Sequence, residues 1–228
     1  MIPTLAQKCV AEFIGTFTLI FIGVGAIYNL GSVPGALLGI AFAHGLAIAV
    51  MASATGGISG GHLNPAVTFG LFVGGKINAK ESAVYWVAQL AGATAAALLC
   101  MSLIGKAAVD GGTPDIPAVA SMPVISVGKA IVVEAVLTFF LVFVVYGTAV
   151  YAHAPKLGGL AIGLTVTLDI LFGGPLTGAA MNPARTFGPA LASGHWNNHI
   201  VYWIGPLLGG AVAGLICGRY LDKETKGV

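Results

Sequence analysis

The sequence predicts an all-α membrane protein with six transmembrane helices and two re-entrant half-helices arranged as an inverted repeat. Three observations predict it: a chain nearly free of charge, a series of apolar runs of spanning length, and one motif written twice. Of 228 residues, 57% are hydrophobic and 8% charged, and the mean hydropathy of +0.94 lies far above that of a soluble domain. No charged side chain falls between Glu12 and Lys76, Glu81 and Lys106, Glu134 and Lys156, or Arg185 and Arg219. Each gap accommodates at least one span of roughly 20 residues.

The apolar runs, bounded by charges and turn residues, predict spans at 9–28, 36–56, 82–104, 130–151, 157–173 and 199–220. Residues 13–28 have the character of a signal-peptide core, but no cleavage site follows, so they read as a retained first span. The stretch 105–128, with Gly111, Gly112, Pro114, Pro117 and Pro123, reads as a connection. Two apolar segments remain, opening at Asn64 and Asn182 and closing at Gly74 and Gly194. At about 1.5 Å per residue, these are too short to cross a bilayer and read as half-spans.

Both half-spans follow a glycine-rich run, Gly56-Gly57-Ile58-Ser59-Gly60-Gly61-His62-Leu63 in one case and Gly173-Gly174-Pro175-Leu176-Thr177-Gly178-Ala179-Ala180-Met181 in the other. Both then begin Asn-Pro-Ala, as Asn64-Pro65-Ala66 and Asn182-Pro183-Ala184, 118 positions apart. The stretch Glu12–Phe17 recurs as Glu134–Phe139 at a separation of 122. The chain is therefore a duplication forming a single domain over 1–228: repeat one at about 5–104, a connecting loop at about 105–128 and repeat two at about 129–221. Three spans per copy force the second copy to enter from the opposite side, so the two special segments meet near the midplane.

Lys8, Lys76, Lys80, Lys156, Arg219, Lys223 and Lys226 fall on one side of this topology, against Lys106 and Lys129 on the other. By the positive-inside rule both termini are cytoplasmic. A plasma (inner) membrane is the expected location. A net charge of +2 offers no basic patch for nucleic acid. Cys9, Cys100 and Cys217 are odd in number and cannot pair fully. His62, His153, His195 and His199 lack metal-ligand spacing, and no nucleophile–base pair or phosphate loop stands out, so neither a cofactor nor an enzyme is expected.

Irregular backbone at membrane depth survives only where it lines a wet cavity, and the glycine-rich runs imply one. Asparagine is a preferred N-cap and proline suits the first helical position, so each Asn-Pro starts a helix with the amide at its mouth. Two opposed helix N-termini, each worth roughly half a positive charge, then face each other and raise a barrier to cations. The asparagine amides donate to a passing water, and the carbonyls of Gly60, Gly61, His62, Gly178, Ala179 and Ala180 accept from it. Arg185, isolated between apolar stretches, must face a wet cavity or a partner such as Asp169. His44 is either a pore residue or a helix-packing hydrogen bonder. Glu12 and Glu134, equivalent in the two copies, are read as braces for the glycine-rich loops, with proton coupling as the alternative.

The paired Asn-Pro-Ala motifs in these contexts resemble those of the aquaporin, or major intrinsic protein, family over residues 5–221. That resemblance implies a homotetramer in the lipid bilayer with one pore per subunit. It also implies a selectivity filter at His44, Ile170, Ala179 and Arg185. This set is similar to that of tonoplast intrinsic proteins and aquaporin-eight, where an isoleucine and a small neighbour widen the constriction. Water is the expected substrate, with ammonia or hydrogen peroxide sharing its route. Thr186, Ala190 and Tyr202-Trp203 resemble the water-channel pattern, which makes a glycerol or urea facilitator the alternative. A proton-coupled transporter, using Asp169, Glu12 and Glu134, is the alternative from another class. Asp169 itself stays open between bonding a backbone amide, pairing with Arg185 and altering the charge of the filter.

Overall fold

A computed structural model of the chain describes residues 2–117, 125–155 and 157–222; Pro123 of the connection and the topology markers Lys156, Lys223 and Lys226 lie outside them. Among the described residues six helices are long and apolar enough to cross a membrane: Leu5–Leu30, Ala36–Ser59, Ala79–Ile104, Val127–Val150, Gly158–Thr177 and Val201–Leu221. In chain order we label the helices α1 (Leu5–Leu30), α2 (Ala36–Ser59), α3 (Pro65–Val73), α4 (Ala79–Ile104), α5 (Lys106–Gly112), α6 (Val127–Val145), α7 (Gly158–Thr177), α8 (Pro183–Ser193) and α9 (Val201–Leu215). Both α6 and α9 end in a wide π-type turn, at Tyr146–Val150 and Ile216–Leu221.

Local chemistry sets the helix starts. Thr4 and Gln7 form a capping box at α1, Asn78 accepts from the amide of Glu81 at α4, and Ser126 accepts from that of Lys129 at α6. The first span therefore begins four residues earlier than its apolar run, because capping residues are polar and hydropathy discards them. The fifth runs on to Thr177 through Pro175, carrying the glycine-rich stretch inside the helix. The connection between the repeats also contains a short helix, α5, that its Gly-Gly and prolines conceal.

The major packing pairs are α2 with α7, α6 with α9, and α1 with α4, while α3 wedges against α9 and α8 against α4. The half-helices α3 and α8 span nine and 11 residues. Their N-termini meet at the middle of the bundle, where the Asn64 side chain reaches the backbone of Met181. Outward-facing apolar residues such as Val87, Leu103, Val132 and Phe172 remain exposed, as a lipid-facing surface requires.

The α2–α7 seam depends on backbone contact: a β-carbon at Gly163 would strike the carbonyl oxygen of Gly45, and one at Gly45 would strike that of Gly163. Close approach of small residues is how helices associate where lipid removes the hydrophobic drive. Gly163→Val should overpack this seam at a cost of about 1–3 kcal/mol and lower the thermal unfolding midpoint in detergent micelles. An unchanged midpoint would show that the seam has slack.

Candidate functional site: a channel between two opposed half-helices

The site is built from the two loops that lead into α3 and α8. In each, the same three positions take left-handed backbone: Gly60, Gly61 and Leu63 in the first loop, and Gly178, Ala179 and Met181 in the second. Glycine adopts this at no steric cost. Leu63, Ala179 and Met181 do not, and each costs on the order of 1–3 kcal/mol that its surroundings must offset.

A buried glutamate offsets it in each loop. Glu12 Oε1 accepts from Ser59 Oγ (2.6 Å) and the amide of His62 (2.9 Å), and its Oε2 from the amide of Leu63 (2.6 Å) and Gln89 Nε2 (2.8 Å). Glu134 Oε1 accepts from Thr177 Oγ1 (2.6 Å) and the amide of Ala180 (2.9 Å), and its Oε2 from the amide of Met181 (2.7 Å). Both carboxylates are fully buried. A tyrosine on the next span steadies each loop from behind, Tyr85 donating to the Ser59 carbonyl at 2.8 Å and Tyr202 to that of Thr177 at 2.7 Å.

These supporting residues escaped the reading of the sequence, although the repeat register points to them. Ser59 and Thr177 stand 118 apart, like the asparagines, and Tyr85 and Tyr202 stand 117 apart. Gln89 has no such twin, because Pro206 occupies the matching position. Gln89 Nε2 also donates to Thr68 Oγ1 at 3.0 Å. In the second repeat the hydroxyl of Thr186, the counterpart of Thr68, has no hydrogen-bond partner among the described residues.

At the centre, Asn64 Oδ1 accepts from the amide of Ala66 and Asn182 Oδ1 from the amides of Ala184 and Arg185. Pro65 and Pro183 occupy the first helical positions. One amide hydrogen of each asparagine is spent across the junction: Asn64 Nδ2 donates to the Met181 carbonyl at 2.9 Å and Asn182 Nδ2 to the Leu63 carbonyl at 3.0 Å. Leu63 and Met181 are thus part of the site. One hydrogen per amide remains for the lumen.

The cavity at this junction is ≈ 30 Å³, room for about two waters at roughly 10–15 Å³ each. His44, Gly61, His62, Asn64, Ile170, Ala179, Ala180, Asn182 and Arg185 line it, with Leu19, Ile48, Val67, Leu141, Val145, Ile162 and Val166 as its apolar walls. Gly178 lines the wider outer mouth instead, together with His44, Ile170 and Arg185, and Gly60 lines neither.

The four positions His44, Ile170, Ala179 and Arg185 come together. His44 Nδ1 donates to the Ile40 carbonyl at 2.9 Å, which leaves Nε2 as the acceptor. Arg185 does not pair with Asp169; its Nη1 donates to the Gly112 carbonyl at 3.0 Å. That carbonyl sits on α5, an element the sequence conceals. Asp169 is buried on α7, and its Oδ2 has no hydrogen-bond partner among the described residues. No group of metal-ligating side chains occurs among the described residues.

The Major intrinsic protein family model matches residues 2–217. The chain belongs to that family. Among relatives in the same family, aquaporin TIP2-1 of Zea mays is 47% identical over 225 residues, covering 94% of this chain and 87% of that protein. Probable aquaporin TIP3-2 of Arabidopsis thaliana is 44% identical over 229 residues, covering 94% and 83%. The X-ray structure of the aquaglyceroporin from Plasmodium falciparum superposes with a TM-score of 0.82 at 24% identity, covering 98% of this chain and 99% of that one. That match carries the fold. Membership makes the protein a multi-pass integral membrane protein and not an enzyme. Both of these relatives are TIP-type aquaporins, so the expected plasma membrane is not supported: basic residues report sidedness, not which membrane is crossed.

Replacing either buried glutamate by glutamine removes one acceptor oxygen and turns an N–H donor toward other donors. Glu12→Gln and Glu134→Gln should each cost about 1–3 kcal/mol and lower the yield of folded protein in size-exclusion chromatography, while water permeability per folded protein changes less. Full yield with abolished permeability would contradict the brace.

Proposed function

We propose that the protein is a passive water channel that also passes ammonia and hydrogen peroxide, excludes protons and ions, and works as a homotetramer with one pore per subunit. Its termini face the cytoplasm, as the distribution of basic residues implies. The observation that carries this reading is the pair of asparagines held against each other's loop at the narrow middle of a cavity with apolar walls. The names of the two relatives given above, both aquaporins, support it.

The mechanism follows from charge and hydrogen bonding. Two helix N-termini, each equivalent to roughly +0.5 charge, face one another at the junction, so a cation entering between them meets repulsion from both sides. Each asparagine offers its remaining N–H to a passing water oxygen, while loop carbonyls accept its hydrogens. A water at the junction is thereby turned with its oxygen toward the amides, which interrupts the donor–acceptor chain a relayed proton needs. Arg185 adds a fixed positive charge at the outer mouth. A neutral solute pays neither penalty and is sorted by size and polarity against His44, Ile170, Ala179 and Arg185.

Proton coupling through Glu12 or Glu134 is disfavoured because their oxygens accept hydrogen bonds from loop amides and hydroxyls. Protonating either would leave donors facing a donor.

Stopped-flow swelling of proteoliposomes tests the proposal: water permeability with a low activation energy and no protein-dependent collapse of a pH gradient is the expected result, and rapid protein-dependent pH equilibration overturns it. Selectivity has its own test. Ile170→His makes one wall polar and bulkier, so ammonia flux should fall more steeply than water flux, with glycerol excluded throughout. An equal proportional loss of both fluxes, or no ammonia flux in the parent, would make the channel water-only.

A further inference from the structure

The outer mouth contains an ion cluster that the channel reading leaves unused. His195 lies just beyond α8 and reaches across the mouth, placing both ring nitrogens on carboxylates: Nδ1 is 3.1 Å from Asp110 Oδ1 and Nε2 is 2.9 Å from Asp115 Oδ2. A neutral imidazole has one N–H donor and one lone-pair acceptor, and an ionised carboxylate only accepts. Both contacts are therefore hydrogen bonds only when the ring carries two protons. In its doubly protonated form the ring is an imidazolium held between two carboxylates.

What it holds together is the filter's support. Asp110 and Asp115 bracket Gly112, whose carbonyl accepts from Arg185 Nη1 at 3.0 Å. The segment between them has few other ties. Thr113 bonds back to Val109 and Asp110, and Pro114 packs over Gly178. Asp115 is further fixed by Asn198 Nδ2 at 2.8 Å and by the amide of Ile116 at 2.7 Å, whereas the only side-chain hydrogen bond that Asp110 makes among the described residues is to His195. The amide of His195 is in turn held by Ser193 Oγ at the end of α8, the helix that carries Arg185.

We propose that His195 is a positioning residue for the filter: doubly protonated, it clips the 110–115 segment to the end of α8, keeps the Gly112 carbonyl on Arg185, and so makes conductance depend on pH at the outer face. This rests on the channel reading above. On loss of one proton a single carboxylate bond survives. The solvent-exposed Asp110, at the longer distance, is released, the Gly112 carbonyl loses its register, and the untethered guanidinium of Arg185 swings across the mouth.

The charges facing His195 set the pH range. From α5 comes Asp110, from the following segment Asp115, and from α8 Arg185, which lines the same mouth. Desolvation lowers the basicity of His195, but the hydrogen bonds and charges of Asp115 and Asp110 outweigh it and raise the ring above the ordinary histidine value. The clip is consequently complete below the ordinary histidine range and is lost as pH rises through that raised value. The neighbouring His199 moves the other way, lowered by burial, and does not titrate in the same range.

The test is stopped-flow water permeability of proteoliposomes equilibrated on both sides between about pH 6 and about pH 9, for the parent, His195→Gln and Asp110→Asn. Asp110 is about half exposed, so Asp110→Asn leaves a folded channel even where the histidine variant folds poorly. We expect parent permeability to fall by about two- to fivefold with rising pH, and both variants to be flat near the alkaline value. A flat parent profile, or the same pH step surviving in both variants, overturns the proposal and leaves the channel reading standing. Absence of protein-dependent flux at every pH overturns both.

Discussion

Backbone that leaves its helix inside a membrane must find its hydrogen-bond partners within the protein or in the water of a cavity, because each unmet amide or carbonyl in hydrocarbon costs several kcal/mol. The loops at 60–63 and 178–181 leave their helices at that depth, and the bundle is organised around supplying their partners. Glu12 and Glu134 take the amides, Tyr85 and Tyr202 take carbonyls at the loop entrances, and the two asparagines take the carbonyls of Leu63 and Met181 from across the junction. Each half-helix is therefore completed by the other. The strain of three non-glycine residues in left-handed backbone persists because these bonds leave the loops no alternative.

The same arrangement that satisfies the backbone creates the chemistry. An N-cap asparagine followed by proline starts a helix abruptly, which puts the positive end of α3 or α8 at the cavity and not within the protein. Because the repeats are inverted, the two ends oppose each other. The symmetry stops at the filter. His44, Ile170 and Arg185 all line the outer mouth, while His62, bonded to Thr68 and packed on the Tyr85 ring, stands in the first loop where the second has Ala180. The Gln89 and Pro206 difference shows the same divergence one layer out. A duplicated scaffold fixes the middle of the pore, and unpaired side chains distinguish its ends.

Much of this architecture is legible in the amino-acid sequence, for physical reasons. Spans announce themselves because lipid tolerates no charge, and the half-spans because two asparagine-led segments were too short to cross. The position of Arg185 was legible because an isolated intramembrane arginine demands a reason. What the sequence hid were contacts between distant residues of unremarkable type. Nothing near Gly112 marks its carbonyl as the partner of Arg185, and the expected alternative, Asp169, is buried elsewhere on α7. The Asn64 and Asn182 amides are expected to donate to passing water, and what stays hidden is that each also spends one hydrogen on the opposite loop. Helix boundaries slipped where polar caps or Gly-Gly-Pro interrupted the apolar signal, as at Thr4 and Pro175.

The central claim is that the two half-helices are mutually dependent at the Asn64–Asn182 junction. A double-mutant cycle on reversible unfolding in mixed micelles, with Asn64→Ala, Asn182→Ala and the double variant, measures that dependence directly. If the junction acts as one unit, either substitution alone loosens both loops, and the double variant is less destabilised than the sum of the singles by about 0.5–3 kcal/mol. Strict additivity of the two substitutions would contradict the account.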